Sequence, residues 1–163
     1  MRTRNQPADD AKILPVLMAI RASSFARAAF ITQKPFAEIS LEAQERYIRR
    51  KVIALGHGES VLVDFEKAIK LEDGDCLVLE DGRLVQIAAT PENLLEVRAA
   101  DSNHLSRLAW HIGNRHLEAQ IEDTRILIRP DHVIAKMLEG QGATVSNVTE
   151  KFSPEHGAYS HGH

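Results

Sequence analysis

The stretch DSNHLSRLAWHIGNRH, residues 101–116, decides how the second half of this chain is read. Leu105, Leu108, Ala109 and Ile112 recur at i, i+3, i+4 and i+7, the apolar stripe of a helix packed on one side. Asp101 is its expected N-cap. Gly113-Asn114 is expected to end it, because both residues tolerate the left-handed conformation of a C-cap. His111 then sits in the last helical turn and His116 beyond it, on the way to a strand.

Working outward, residues 94–99 read as a strand before this helix, and 117–121 with 125–129 as a strand pair after it. A second helix opens at Pro130-Asp131, carries Val133, Ile134, Met137 and Leu138 on one face and closes at Gly140; residues 143–148 are a last strand. The order β-α-β-β-α-β is that of the ferredoxin-like fold, two helices over one face of a four-stranded antiparallel sheet. This domain is expected over 90–152, followed by a flexible His-bearing tail over 153–163.

The first half reads differently. Residues 16–20, 28–31, 47–55 and 60–65 are short apolar or alternating runs rich in β-branched and aromatic residues, so strands are expected there, with 41–46 open to a single helical turn. Residues 76–87 predict a hairpin with a two-residue turn at Asp81-Gly82, and residues 72–75 a second turn. Residues 13–89 are therefore expected to be a small all-β domain, a sandwich or barrel-like sheet, joined to the second through a linker at 88–93. Residues 1–12 are polar and expected to be disordered. The fold class is α+β.

Composition narrows the function. At 163 residues, with 44% apolar and 26% charged residues, the chain is an ordinary globular one. A net charge of −3 gives no footprint for nucleic acid, and no apolar run approaches the ~20 residues needed to span a membrane. The apolar run 13–20 holds Pro15, follows Asp9-Asp10 and lacks a cleavage site, so it does not read as a signal peptide. The single Cys76 suits a reducing compartment, and a cytoplasmic protein is expected.

Chemistry rests on histidine. His57, in the turn Gly56-His57-Gly58, reads as a solvated loop residue. His104 and His111 share one edge of the helix but lie roughly 10 Å apart at 1.5 Å per residue, too far to share an ion unaided. His132 opens the second helix, where the macrodipole favours a neutral imidazole able to ligate, although a half-exposed first-turn residue is the plainer reading. His156, His161 and His163 cluster in the tail, and a short His-rich tract is a compositional sign of metal binding. Cys76 reads as a small buried hydrophobe, and Arg49-Arg50-Lys51 as the solvated face of a strand. Phosphate-loop, Gly-x-Ser-x-Gly, Cys-x-x-Cys and His-Glu-x-x-His motifs do not occur.

Gly113-Asn114-Arg115-His116 after an amphipathic helix, Asp131-His132-Val133 opening the next, and Gly157-Ala158-Tyr159 leading into the tail resemble the UreE family of urease accessory nickel chaperones. Residues 71–75 and the Asp81-Gly82 hairpin match as well. The resemblance covers residues 13–163 and implies a β domain similar to a chaperone peptide-binding domain, then a ferredoxin-like metal-binding domain that forms homodimers. It implies a non-enzymatic protein that delivers Ni(II) to apo-urease together with the urease accessory GTPase. The family's interfacial nickel ligand falls on His116 from both subunits. The tail histidines His156, His161 and His163 complete the coordination, His132 and His111 are secondary candidates, and Zn(II) or Cu(II) are alternative ions at the same site. Metal-linked tetramers are an extension of the same scheme. Some relatives carry a histidine where this chain has Pro130, which weakens the case for a secondary site on that helix. Two competing classes remain: a metal-dependent hydrolase using His116, and a protein-binding co-chaperone acting through the β domain.

Overall fold

The computed structural model describes residues 19–56 and 58–155, and the chain divides into two compact units, Met1–Ala88 and Ala89–His163. It is a mixed α+β protein, mostly strands with two α-helices.

The first unit holds six strands, β1 (Ala19–Ala26), β2 (Ala37–Leu41), β3 (Tyr47–Ala54), β4 (Ser60–Lys70), β5 (Cys76–Leu79) and β6 (Leu84–Ala89). They form one sheet in the order β2-β6-β5-β1-β4-β3, with β1 and β4 parallel. Val61, Val63 and Phe65 alternate inward along β4 and meet Leu77, Val85 and Ile87 in a single core, the period-2 pattern of a half-buried strand.

Several expectations change here. Residues 28–31 are not a strand: Ala28–Phe30 is a 3-10 turn held by Phe30 N–H donating to Arg27 O at 2.9 Å. Its three residues are exposed, so the apolar run there has no sheet neighbour to cover it. β2 was missed because its pattern, Ala-Glu-Ile-Ser-Leu, is a short edge strand with exposed polar positions. The single turn expected within 41–46 is a 3-10 helix, Gln44–Arg46. β1 runs on through Ser23 and Ser24 to Ala26, and residues 16–18 lie outside the described residues.

The β5–β6 hairpin pairs Leu77 with Val85, but its loop has three residues rather than two. Leu79 N–H donates to Arg83 O, Gly82 N–H donates to Leu79 O, and Gly82 alone takes a positive φ of 86°. This is a turn followed by a left-handed glycine bulge. Asp81 instead accepts from Arg83 N–H at 3.0 Å and from Arg83 Nε at 2.7 Å. Those bonds, the backbone one first, hold its carboxyl below the usual carboxylate range.

The second unit runs β7 (Pro91–Arg98), α1 (Ser102–Gly113), β8 (Ala119–Ile121), β9 (Arg125–Ile128), α2 (His132–Gly140) and β10 (Thr144–Lys151). Its sheet order is β10-β7-β9-β8, with every neighbouring pair antiparallel. Leu105, Leu108 and Ile112 of α1, with Ile134 and Leu138 of α2, share one core with Leu95, Val97, Ile126 and Ile128, so both helices cover the same face. Asp101 and Asp131 cap the helices, accepting from His104 N–H at 2.8 Å and from Val133 N–H at 2.8 Å.

The expected linker at 88–93 is not a loop. β6 ends at Ala89 and β7 starts at Pro91, leaving only Thr90 between them. Proline is tolerated at the first position of a strand, and Glu92 is buried through its 2.6 Å ion pair with Arg129, which hides the strand signal behind a polar residue.

Candidate metal site

Gly113 and Asn114 do not supply the left-handed residue that ends α1. Asn114 is right-handed helical at φ −64°, ψ −16°, and the turn continues through Arg115. His116 N–H donates to Gly113 O at 2.9 Å and Leu117 N–H to Ile112 O at 3.5 Å, the two nested bonds of a Schellman cap. The left-handed position of that cap is His116 itself, at φ 57°, the only positive φ at a non-glycine among the described residues. Leu117 packs against the core containing Ile112, the apolar contact that accompanies this cap and the reason β8 begins only at Ala119. Sequence reasoning missed this because it assigned the unusual backbone to Gly113-Asn114, the residue types where it costs least.

His116 is exposed, and its imidazole has no hydrogen bond or ion pair among the described residues, so either ring nitrogen is free to ligate. The acidic group nearest to it in sequence, Glu118, is committed to Arg129 at 3.3 Å. Arg115 is tied back to the helix end, donating from Nη1 to His111 O at 3.0 Å. The local donor is therefore imidazole, which suits nickel, copper or zinc rather than a hard cation.

The other histidines separate clearly. His104, which the spacing placed on the helix edge, is half-buried: Nδ1 accepts from Ala100 N–H at 3.0 Å, so Nε2 carries the proton and donates to Gln141 O at 2.8 Å. Both nitrogens are spent on joining the start of α1 to the end of α2. His111 is half-buried, its ring edge-on to Trp110 with centroids 5.0 Å apart. His132 is exposed at the first position of α2. Cys76 is buried, and burial first, then the Asp75 carboxylate, pushes its thiol up, away from thiolate chemistry. His57, His156, His161 and His163 lie outside the described residues. Among the described residues, no three His, Cys, Asp or Glu side chains converge to hold an ion.

The chain around the expected start of the loose tail at Ser153 is held in place. Phe152 is buried, Ser153 N–H donates to Gln120 Oε1 at 2.7 Å, and Glu155 N–H donates to Ala119 O at 2.8 Å in an antiparallel bridge. Glu155, which immediately precedes His156, is thus anchored to a residue three positions after His116. Backbone reach bounds the His116–Glu155 Cα separation at about 16 Å, from ~11 Å of chain and ~5.5 Å across a bridge.

Residues 13–90 match the UreE urease accessory protein N-terminal domain, and residues 92–163 match its C-terminal domain. Urease accessory protein UreE 1 of Brucella suis biovar 1 is 57% identical over 129 residues, covering 79% of this chain and 80% of that protein. Urease accessory protein UreE of Brucella anthropi is 56% identical over 144 residues, 88% of this chain and 85% of its own length. The Rhizobium rhizogenes protein of the same name is 48% identical over 143 residues, 88% of this chain and 85% of that protein. With both domains matched in order along one chain, this protein belongs to the UreE urease accessory protein family.

Proposed function

We propose that this protein binds Ni(II) as cargo at a site built on His116 and delivers it for assembly of the urease active site, without catalysing a reaction itself. The observation that carries this reading is the backbone of His116. A left-handed position costs a non-glycine residue about 1–2 kcal/mol, and a histidine kept there, exposed and unpaired, is retained for its imidazole.

One imidazole is too few for a tight site, and a two-fold axis supplies a second from the same encoded residue. The exposed Trp110 of α1 and Val133 of α2 provide apolar surface on the second unit for a homodimer. The strand order β10-β7-β9-β8 with two helices on one face supports a ferredoxin-like dimerisation domain over 90–152, preceded by a β domain over 13–89. Tail histidines complete the coordination: six residues of chain from Glu155 to His161 can extend to about 20 Å, enough to cross the ~16 Å to His116. A site assembled from two loops and two tails is open and exchangeable, as a donor to another protein must be. The same ligands accept Zn(II) or Cu(II), and pairing of dimers through metal gives tetramers. The receiving partners are the urease accessory GTPase and the urease apoprotein complex, in the cytoplasm.

Activation of apo-urease in a reconstituted assembly mixture tests delivery. Nickel-loaded protein should activate under nickel limitation and His116→Ala protein should not; equal activation by both would end the proposal.

A further inference from the structure

The first unit carries a cleft of about 700 Å³ lined by Arg21, Ser23, Arg49, Arg50, Asp64, Phe65 and Glu66. It spans β1, β4 and β3, which are adjacent in the sheet, and it sits where β1 pairs irregularly with β5 and β3 with β4. The β1–β5 register shifts between Ala22 and Ser24, leaving Ser23 out of step. The β3–β4 ladder passes from Ile48↔Ile69 to Arg50↔Asp64, so Phe65 to Ala68 face the single residue Arg49. A regular sheet would present a flat surface there; two interruptions at one place open a depression.

The charges are unevenly used. Arg21 donates to Asp64 at 2.8 Å and reaches Glu80 at 3.8 Å. Arg50 approaches Asp64 only at 3.7 Å, with 69% of its side chain exposed. Arg49 is exposed and has no hydrogen bond or ion pair among the described residues. Three guanidinium groups thus face two carboxylates, one of which is already neutralised, on a chain whose net charge is −3. Phe65 is the one apolar residue of the lining, its ring edge-on to Phe25 at 5.8 Å between centroids.

We propose that this cleft docks an extended acidic peptide segment of a partner protein, its carboxylates taken by Arg49 and Arg50. Planar guanidinium forks with unspent N–H donors match carboxylates in two-bond pairs. The volume lies within the roughly 300–1,000 Å³ of ligand pockets, and a floor of strands suits an extended chain. Glu66 opposes an acidic guest, which gives the proposal a second sign to test.

The experiment pans a display library of random short peptides against the full chain. Recovered peptides should be rich in Asp and Glu. One of them, titrated by fluorescence anisotropy, should bind about tenfold or more weakly to the R49Q/R50Q double variant and more tightly to Glu66→Gln. Raising salt from about 0.05 M to about 0.5 M should weaken binding, as screening of exposed charges requires. Unchanged nickel stoichiometry and an unchanged urea midpoint in both variants show that the fold and the His116 site are intact. A library with no acidic enrichment, a double variant that binds like the parent, or complete displacement by millimolar inorganic phosphate, which would mark a small-anion site, each overturns the proposal.

Discussion

His116 and Gly113 exchange the roles that their residue types suggest. The glycine lies inside α1 with open space around its missing Cβ, while the histidine takes the left-handed cap. Gly113→Ala should therefore stabilise the protein by about 0.5–1 kcal/mol, the gain of alanine over glycine in a helix, read as a higher urea midpoint. Were Gly113 the left-handed residue, the same change would destabilise by a similar amount. His116→Gly should leave the midpoint unchanged or raise it while abolishing tight nickel binding, which separates strain from ligation in one substitution. His104 is the converse case, a histidine whose neutral ring bridges two helices. His104→Ala should cost about 0.5–1.5 kcal/mol by removing the bonds to Ala100 N–H and Gln141 O, which water can then reach, with nickel stoichiometry unchanged in calorimetric titration. Spacing alone gave His104 and His111 the same status, because a pattern on one helix says nothing of what the next helix brings to its edge.

At the scale of elements, the second sheet is pinned on the face away from its helices by charge. Arg125 holds Glu96 at 2.7 Å, Glu122 at 2.7 Å and Glu150 at 2.8 Å, linking β7, β9 and β10. Hydrogen bonds from Arg125 first, then Arg98, lower the Glu96 carboxyl, and Arg125 again leads in lowering that of Glu122. A carboxyl held below its unfolded value of ~4.3 contributes stability that is complete above that value and is lost as pH falls through the lower folded one. Urea midpoints measured between about pH 6 and pH 3 should therefore fall steeply on the acid side. Arg125→Gln should flatten that fall and cost about 1–2 kcal/mol near neutrality, because Glu150 loses its arginine and Glu96, 9% exposed, keeps only the half-exposed Arg98. The helices were legible because Asp101 and Asp131 are strong caps before 3.6-residue stripes. β7 was legible only from Leu94 onward, since its first turn inward is Glu92, a residue whose burial depends on an arginine 37 positions away. The edge strand β2 and the 3-10 turn at 28–30 were illegible for a related reason: short runs acquire their structure from neighbours that the local pattern does not name.

For the whole molecule, a chain that ends at Glu155 keeps its bridge to Ala119 and the Ser153–Gln120 hydrogen bond, and should remain folded and dimeric but bind nickel more weakly, as read by titration against the full chain. Nickel affinity of the full chain should decline on acidification, since protonated imidazole cannot ligate. In sequence, Gly-Asn-Arg-His after an amphipathic helix and the histidines of the last eight residues mark the candidate ligands, and of these the structure describes His116. The left-handed backbone of His116 was not legible there, because glycine and asparagine nearby are the cheaper residues to place in that conformation, and the anchoring of Glu155 was not, because its bond to Ala119 O forms only once β8 is in place. The most direct test of the account is a nickel titration followed by native mass spectrometry, with His116→Ala and His132→Ala compared at matched dimer concentration. The account predicts one tight nickel per dimer in the parent and in His132→Ala, and none in His116→Ala. A His116→Ala protein that still holds one tight nickel per dimer would contradict it.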